Sequence, residues 1–184
     1  VSGFENIFVS NSTHQSIDFS GFTSVENITL SSGTTIDGAT VTTTLGANQK
    51  LTLEDITDGD VGAAALSDGG LTIAQSASIT SLDLKLADVG PNSAAVNENL
   101  FIDIAGQGIA TVNLESEDTN FVSLSNSGGL LSILNVIGSG PLGLILNTPG
   151  TINATSFLAS LTLTGSSSGN TITAASGNDT ITLS

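Results

Sequence analysis

Apolar residues recur at alternate positions in short runs along most of this chain. Ile28-Thr29-Leu30, Leu51-Thr52-Leu53, Leu82-Asp83-Leu84-Lys85-Leu86, Val112-Asn113-Leu114, Phe121-Val122-Ser123-Leu124 and Leu161-Thr162-Leu163 are the clearest. Successive side chains leave a strand on opposite faces, so period two predicts short half-buried strands. Thr29, Thr52, Asn113 and Thr162 are then expected to face outward between core positions. Clusters of Ser, Gly, Asn and Asp separate the runs and turn the chain. Helical periodicity is nearly absent. The best helix candidates are Gly62 to Leu66 and Ser93 to Asn99.

A longer period is superimposed on the alternation. Gly3-Phe4-Glu5-Asn6-Ile7-Phe8-Val9-Ser10 parallels Gly21 to Ser31, and the shared Glu-Asn-Ile element returns after about one coil of a solenoid. A looser apolar triplet follows as Ile79, Leu82, Leu84; as Ile109, Val112, Leu114; as Leu131, Leu134, Val136; and as Leu158, Leu161, Leu163. Such spacing predicts an all-β, irregular β-solenoid, like a parallel β-helix or β-roll. One coil cannot bury its Leu/Ile/Val face alone, whereas stacked coils bury a continuous core. A β-sandwich is the alternative, since it also consists of short strands with frequent turns.

Composition narrows the function. The 184 residues include 17 acidic and only two basic ones, Lys50 and Lys85, for a formal net charge of −15. Two lysines cannot neutralise a phosphate track, so nucleic acid is excluded as a partner. No apolar run is long enough to span a bilayer, so no membrane insertion is expected. There is no cysteine, hence no disulfide or thiolate metal site. The single histidine, His14, lies in a polar segment and reads as a surface residue. No nucleophile elbow, phosphate loop or zinc motif is present, and the chain reads as a non-enzyme. With 39% apolar residues it is too apolar for a disordered acidic tail.

The end of the chain carries the most specific motif. Gly169-Asn170-Thr171-Ile172-Thr173 is followed by Gly177-Asn178-Asp179-Thr180-Ile181-Thr182. Gly177, Asp179 and Ile181 resemble the core of the calcium-binding nonapeptide of RTX proteins. Ala174-Ala175 replaces the leading glycine pair, and Thr171 stands where the upstream copy needs Asp. The Gly-Phe-Thr-Ser-Val-Glu-Asn-Ile-Thr-Leu segment and the Ser/Thr/Asn-rich coils look like bacterial surface-layer proteins of the RTX, type I-secreted kind. That resemblance implies two regions: a β-solenoid over 1–168, and the start of a β-roll over 169–184 that continues beyond the chain. It also implies an extracellular place on the bacterial surface, Ca²⁺ binding and self-association into a lattice or oligomer. Cell-surface polysaccharide would be held by other parts of the parent protein. A Ca²⁺-rigidified stalk or ligand module of a large RTX adhesin is the alternative.

The acidic clusters supply metal candidates. Glu54-Asp55-Ile56-Thr57-Asp58-Gly59-Asp60 places four carboxylates around a glycine that permits a sharp turn. Calcium takes six to eight hard oxygen ligands. Asp55, Asp58 and Asp60 are the candidate ligands here, and Asp179 is the candidate in the RTX-like turn. The alternative for 54–60 is a solvated acidic turn. Glu115-Ser116-Glu117-Asp118 is a second cluster, read first as a charged strand edge that discourages pairing. Asp37-Gly38 reads as a turn. Asn6 and Asn27 are expected to bond turn backbone, and Asp83 and Lys85 to form a weak surface ion pair.

Overall fold

The alternating runs are strands, and consecutive strands go alternately to two different sheets. The computed structural model describes residues 5–10, 16–31, 40–56, 70–75, 79–90, 99–106, 108–148, 150–165, 169–174 and 176–183. Numbered in chain order, the odd strands form the first sheet: β1 (Asn6–Ser10), β3 (Asn27–Ser31), β5 (Lys50–Ile56), β7 (Ser81–Val89), β9 (Thr111–Glu117), β11 (Ile133–Gly138), β13 (Thr151–Asn153) and β15 (Thr171–Thr173). The even strands form the second: β2 (Ile17–Asp18), β4 (Thr40–Leu45), β6 (Gly70–Gln75), β8 (Leu100–Ile104), β10 (Asn120–Ser125), β12 (Leu142–Leu146), β14 (Leu161–Gly165) and β16 (Thr180–Leu183). Each odd strand and the even strand after it make one coil. Every neighbour within a sheet is parallel. This is an all-β solenoid; a sandwich of antiparallel sheets is set aside by the parallel pairing. No helix occurs among the described residues. Both helix candidates fall almost wholly on 57–69 and 91–98, outside the described residues.

The sheets enclose one core between them. Parallel sheets covered by helices are apolar on both faces. These strands alternate instead, because one face meets the other sheet and the other meets solvent. β9, for example, buries Val112, Leu114 and Ser116 and turns Thr111, Asn113, Glu115 and Glu117 outward. In the first sheet Ile28, Leu51, Leu84, Leu114 and Val136 stack in one row. In the second, Leu71, Ile102, Leu124 and Leu146 do the same. All nine are buried. Each contributes about 1.5–3 kcal/mol of burial, realised only when the next coil is in place.

The register tests the repeat read from the sequence. Asn6 pairs with Asn27, Ile7 with Ile28 and Ser10 with Ser31, as the Glu-Asn-Ile repeat requires. Leu82 pairs with Val112, and Val112 with Leu134. The fourth triplet departs. Leu134 pairs with Ile152, not Leu161, and Leu161 belongs to the opposite sheet beside Leu142. β13 is only three residues long, so its single core residue, Ile152, leaves no triplet to recognise. β15 and β16 add to the same two sheets as the strands before them.

Polar corners are tied by buried amides. Asn120 is fully buried; its Nδ2 donates to Ser116 Oγ and to the Glu117 carbonyl at 2.8 and 2.6 Å. Gln49 accepts from the Gly46 N–H at 2.7 Å and donates to the carbonyls of Phe19 and Phe22, both at 3.1 Å. Backbones approach closely where the chain bends: a Cβ on Gly140 would sit 1.9 Å from the Asp118 carbonyl oxygen. Outside the second sheet, Phe121 lies over Gly143 and Phe101 over Gly70, so each ring covers backbone that its parallel neighbour leaves bare.

Candidate functional site

Three successive coils turn the same corner on an aspartate. Asp55, Asp88 and Asp118 have φ of 52°, 55° and 56°. Most side chains resist this left-handed region, whereas Asp tolerates it because its short carboxylate bonds locally. Glu54 pairs with Ala87 and Ile56 with Val89, which sets Asp55 beside Asp88. Ala87 pairs with Glu117, which sets Asp88 beside Asp118. Gly138 pairs with Ser116, so Gly140 follows Asp118 and ends the row.

The three carboxylates are exposed and line an open concavity of about 660 Å³ with Thr119, Ser139, Gly140 and Pro141. Oxygen is the only donor element among these side chains, which suits a hard cation such as Ca²⁺. Parallel strands lie about 4.8 Å apart. Two oxygens on opposite sides of a calcium ion lie about 4.6–5.2 Å apart. The strand spacing between neighbouring aspartates is thus of the same size as the span of a coordinated calcium ion. They form a row with one carboxylate per coil, not a cage: among the described residues no three acidic or histidine side chains group closely enough to hold a metal.

The candidates read from the sequence are thus dispersed. Asp55 opens the row, while Asp58 and Asp60 lie outside the described residues, as do His14 and Asp37-Gly38. Asp179 stands apart: its Oδ1 accepts the Leu161 N–H at 3.1 Å, across one coil. Asp88, which no motif singles out, is the middle member. Its signal is only visible once the register is known.

The outer face of the first sheet holds the remaining polar groups. Asn6, Asn27, Lys50, Asp83, Asn113, Asn135 and Asn153 occupy one register column. Asn27 donates to Asn6 at 2.8 Å, Asn113 to Asp83 at 2.7 Å and Asn135 to Asn113 at 2.8 Å. Asn6 and Asn27 therefore bond each other and not turn backbone. Lys85 pairs with Glu117 at 2.8 Å and not with Asp83. The hydrogen bond that Lys85 donates to Glu117 raises the Lys85 pKa; partial burial opposes this, and the charges of Glu115, Glu117 and Glu54 reinforce it. Glu115 and Glu117 lie on a central strand, flanked by β7 and β11, so they do not guard a sheet edge.

On the second sheet, Asp103 latches the next coil. Its Oδ1 accepts Ser125 Oγ at 2.7 Å and the Ser127 N–H at 2.9 Å, and its Oδ2 accepts Ser127 Oγ. Burial pushes its pKa up, but the bonds from Ser127 and Ser125 outweigh this and hold the carboxyl below its ordinary value.

No family model, curated protein or solved structure matches this chain. What it does must be read from its own geometry.

Proposed function

We propose that this chain is a structural segment of a secreted bacterial surface protein, and that Ca²⁺ stiffens its coils and supports self-association into an extracellular lattice. The carrying observation is the row Asp55, Asp88 and Asp118 at one corner of three consecutive coils. Repeating coils suit a scaffold, since each stacks only on its neighbours. A net charge of −15 opposes assembly by self-repulsion, and each bound divalent ion would offset two charges. Calcium would supply charge neutralisation and oxygen coordination. The chain's own residues hold the corner in the left-handed conformation and point three carboxylates at the same concavity. The RTX-like turn at Gly177, Asp179 and Ile181 supports the same reading by resemblance.

The test is calorimetric titration with CaCl₂, alongside thermal unfolding. Wild-type protein should bind Ca²⁺ and melt at a higher temperature with it. Asp88→Asn and Asp118→Asn should each weaken binding and reduce the shift. Absence of binding at about 10 mM Ca²⁺, roughly tenfold above the weak end of extracellular sites, overturns the proposal. So does binding that both variants retain unchanged.

A further inference from the structure

The corners that carry Asp88 and Asp118 share one buried side chain. Asn120 opens β10, next but one after Asp118, and is fully buried. Its Oδ1 accepts the N–H of Val89, the residue after Asp88, at 2.9 Å. Its Nδ2 donates to Ser116 Oγ at 2.8 Å and to the Glu117 carbonyl at 2.6 Å. The carbonyls of Asp118 and Leu86 lie further off, both at 3.3 Å. Its backbone N–H donates to the Pro141 carbonyl at 3.0 Å, and Pro141 lines the same concavity from the next coil. One uncharged residue, shielded from solvent, is thus bonded to three consecutive coils of that wall.

The other pair of the row has no such clamp. The Asp55 and Asp88 corners are joined through the backbone, where the Gly90 N–H donates to the Ile56 carbonyl at 2.8 Å. Among the described residues, Asn120 is the only side chain that hydrogen-bonds across two corners of the row.

Charge gives the clamp its purpose. Carboxylates on neighbouring strands repel one another, and an unrestrained turn would yield to that repulsion. A buried amide resists, because moving either corner strands a polar group away from water. The backbone of both corners is then fixed before any cation arrives, and the cation need not order it. We infer that Asn120 is the positioning residue of the row: it holds Asp88 and Asp118 as a preorganised pair, and a divalent cation binds this pair ahead of Asp55 and Asp88. The cation in this inference rests on the calcium reading; the clamp does not.

The experiment pairs Ca²⁺ calorimetry, at a temperature where each variant is folded, with amide exchange by NMR in the absence of metal. Asn120→Ala should weaken the tightest Ca²⁺ binding by about tenfold or more, the usual effect of losing a residue that orients metal ligands. Leu163→Ala removes a buried side chain of β14, away from the row, and serves as the control for lost stability. It should bind Ca²⁺ like the wild type. Without metal, the Val89 amide should exchange about tenfold faster in Asn120→Ala than in Leu163→Ala, the scale of one lost hydrogen bond. Should Asn120→Ala fail to fold, two surface variants decide: Asp118→Asn should weaken the tightest binding several times more than Asp55→Asn does. Wild-type protein that binds no Ca²⁺ overturns the calcium reading, and Val89 exchange then judges the clamp alone. Unchanged Ca²⁺ affinity in Asn120→Ala, equal Val89 exchange in the two buried variants, or equal losses from Asp55→Asn and Asp118→Asn overturns the inference.

Discussion

The side-chain oxygen of Asn120 accepts the backbone N–H of Val89 at 2.9 Å, reaching back one whole coil. Its Nδ2 donates to Ser116 Oγ and the Glu117 carbonyl within its own coil, and to the Leu86 carbonyl in the coil before. One buried amide thus fastens the corner of one coil to that of the next. Asn120→Ala should destabilise the protein by about 2–3 kcal/mol, since it orphans a buried donor and several acceptors. Chemical denaturation measures this; a loss below about 0.5 kcal/mol would show that water replaces the amide.

Asp103 makes stability depend on pH. Its folded pKa lies below the ordinary 3.8, so its contribution is full above 3.8 and fades as pH falls through the lowered folded value. Asp103→Asn should therefore lower the melting temperature at neutral pH, and the gap to wild type should close in acid. A gap that stays constant from neutral pH down to about pH 2 would remove the Ser125–Ser127 latch as the cause.

Lys85 predicts the opposite kind of result. Its pair with Glu117 is exposed at 35% and 47%, where water screens the attraction. Because the folded pKa is raised above 10.5, whatever the pair contributes is present below 10.5 and disappears as pH rises through the folded value. Lys85→Met should change stability at neutral pH by less than about 0.5 kcal/mol. A larger loss in denaturant unfolding would mean that the lysine stem packs on the sheet.

Two glycines make a matched test of the corner geometry. Gly140→Ala places a methyl against the Asp118 backbone and should cost at least about 2 kcal/mol, or prevent folding. Gly21 has nothing within 4 Å of the same added atom. Gly21→Ala should be neutral or stabilising by up to about 1 kcal/mol, through the unfolded chain. Similar unfolding curves for the two variants would contradict the close approach at Gly140.

Calcium should also change the assembly state. Light scattering and negative-stain microscopy should show ordered oligomers or sheets after Ca²⁺ is added, and dispersed protein after chelation. A chain that binds Ca²⁺ yet remains monomeric would favour a rigid stalk over a lattice subunit.

Much of the fold was legible because burial imposes alternation on every coil. The pairs Asn6–Asn27 and Leu82–Val112 were readable from identity and spacing alone. Leu161 matches Leu134 by pattern, but the short strand around Ile152 holds that position. The two-sheet division was not legible either, since both sheets use the same alternation. The aspartate row was hidden for a different reason. Asp55, Asp88 and Asp118 share no flanking motif, and only strand pairing makes them neighbours. Asp83 and Lys85 looked like partners because they are close in sequence, but on a sheet the neighbour that matters belongs to the adjacent coil.

The register survives although the linked residues Asn113 and Asp83 are 30 positions apart and Asn153 and Asn135 only 18. Chain can therefore enter or leave the arcs between strands without disturbing the columns that the strands form. In such a molecule the stacked columns are the constrained part. The arcs are where new sequence can be tried, coil by coil, at little risk to the rest.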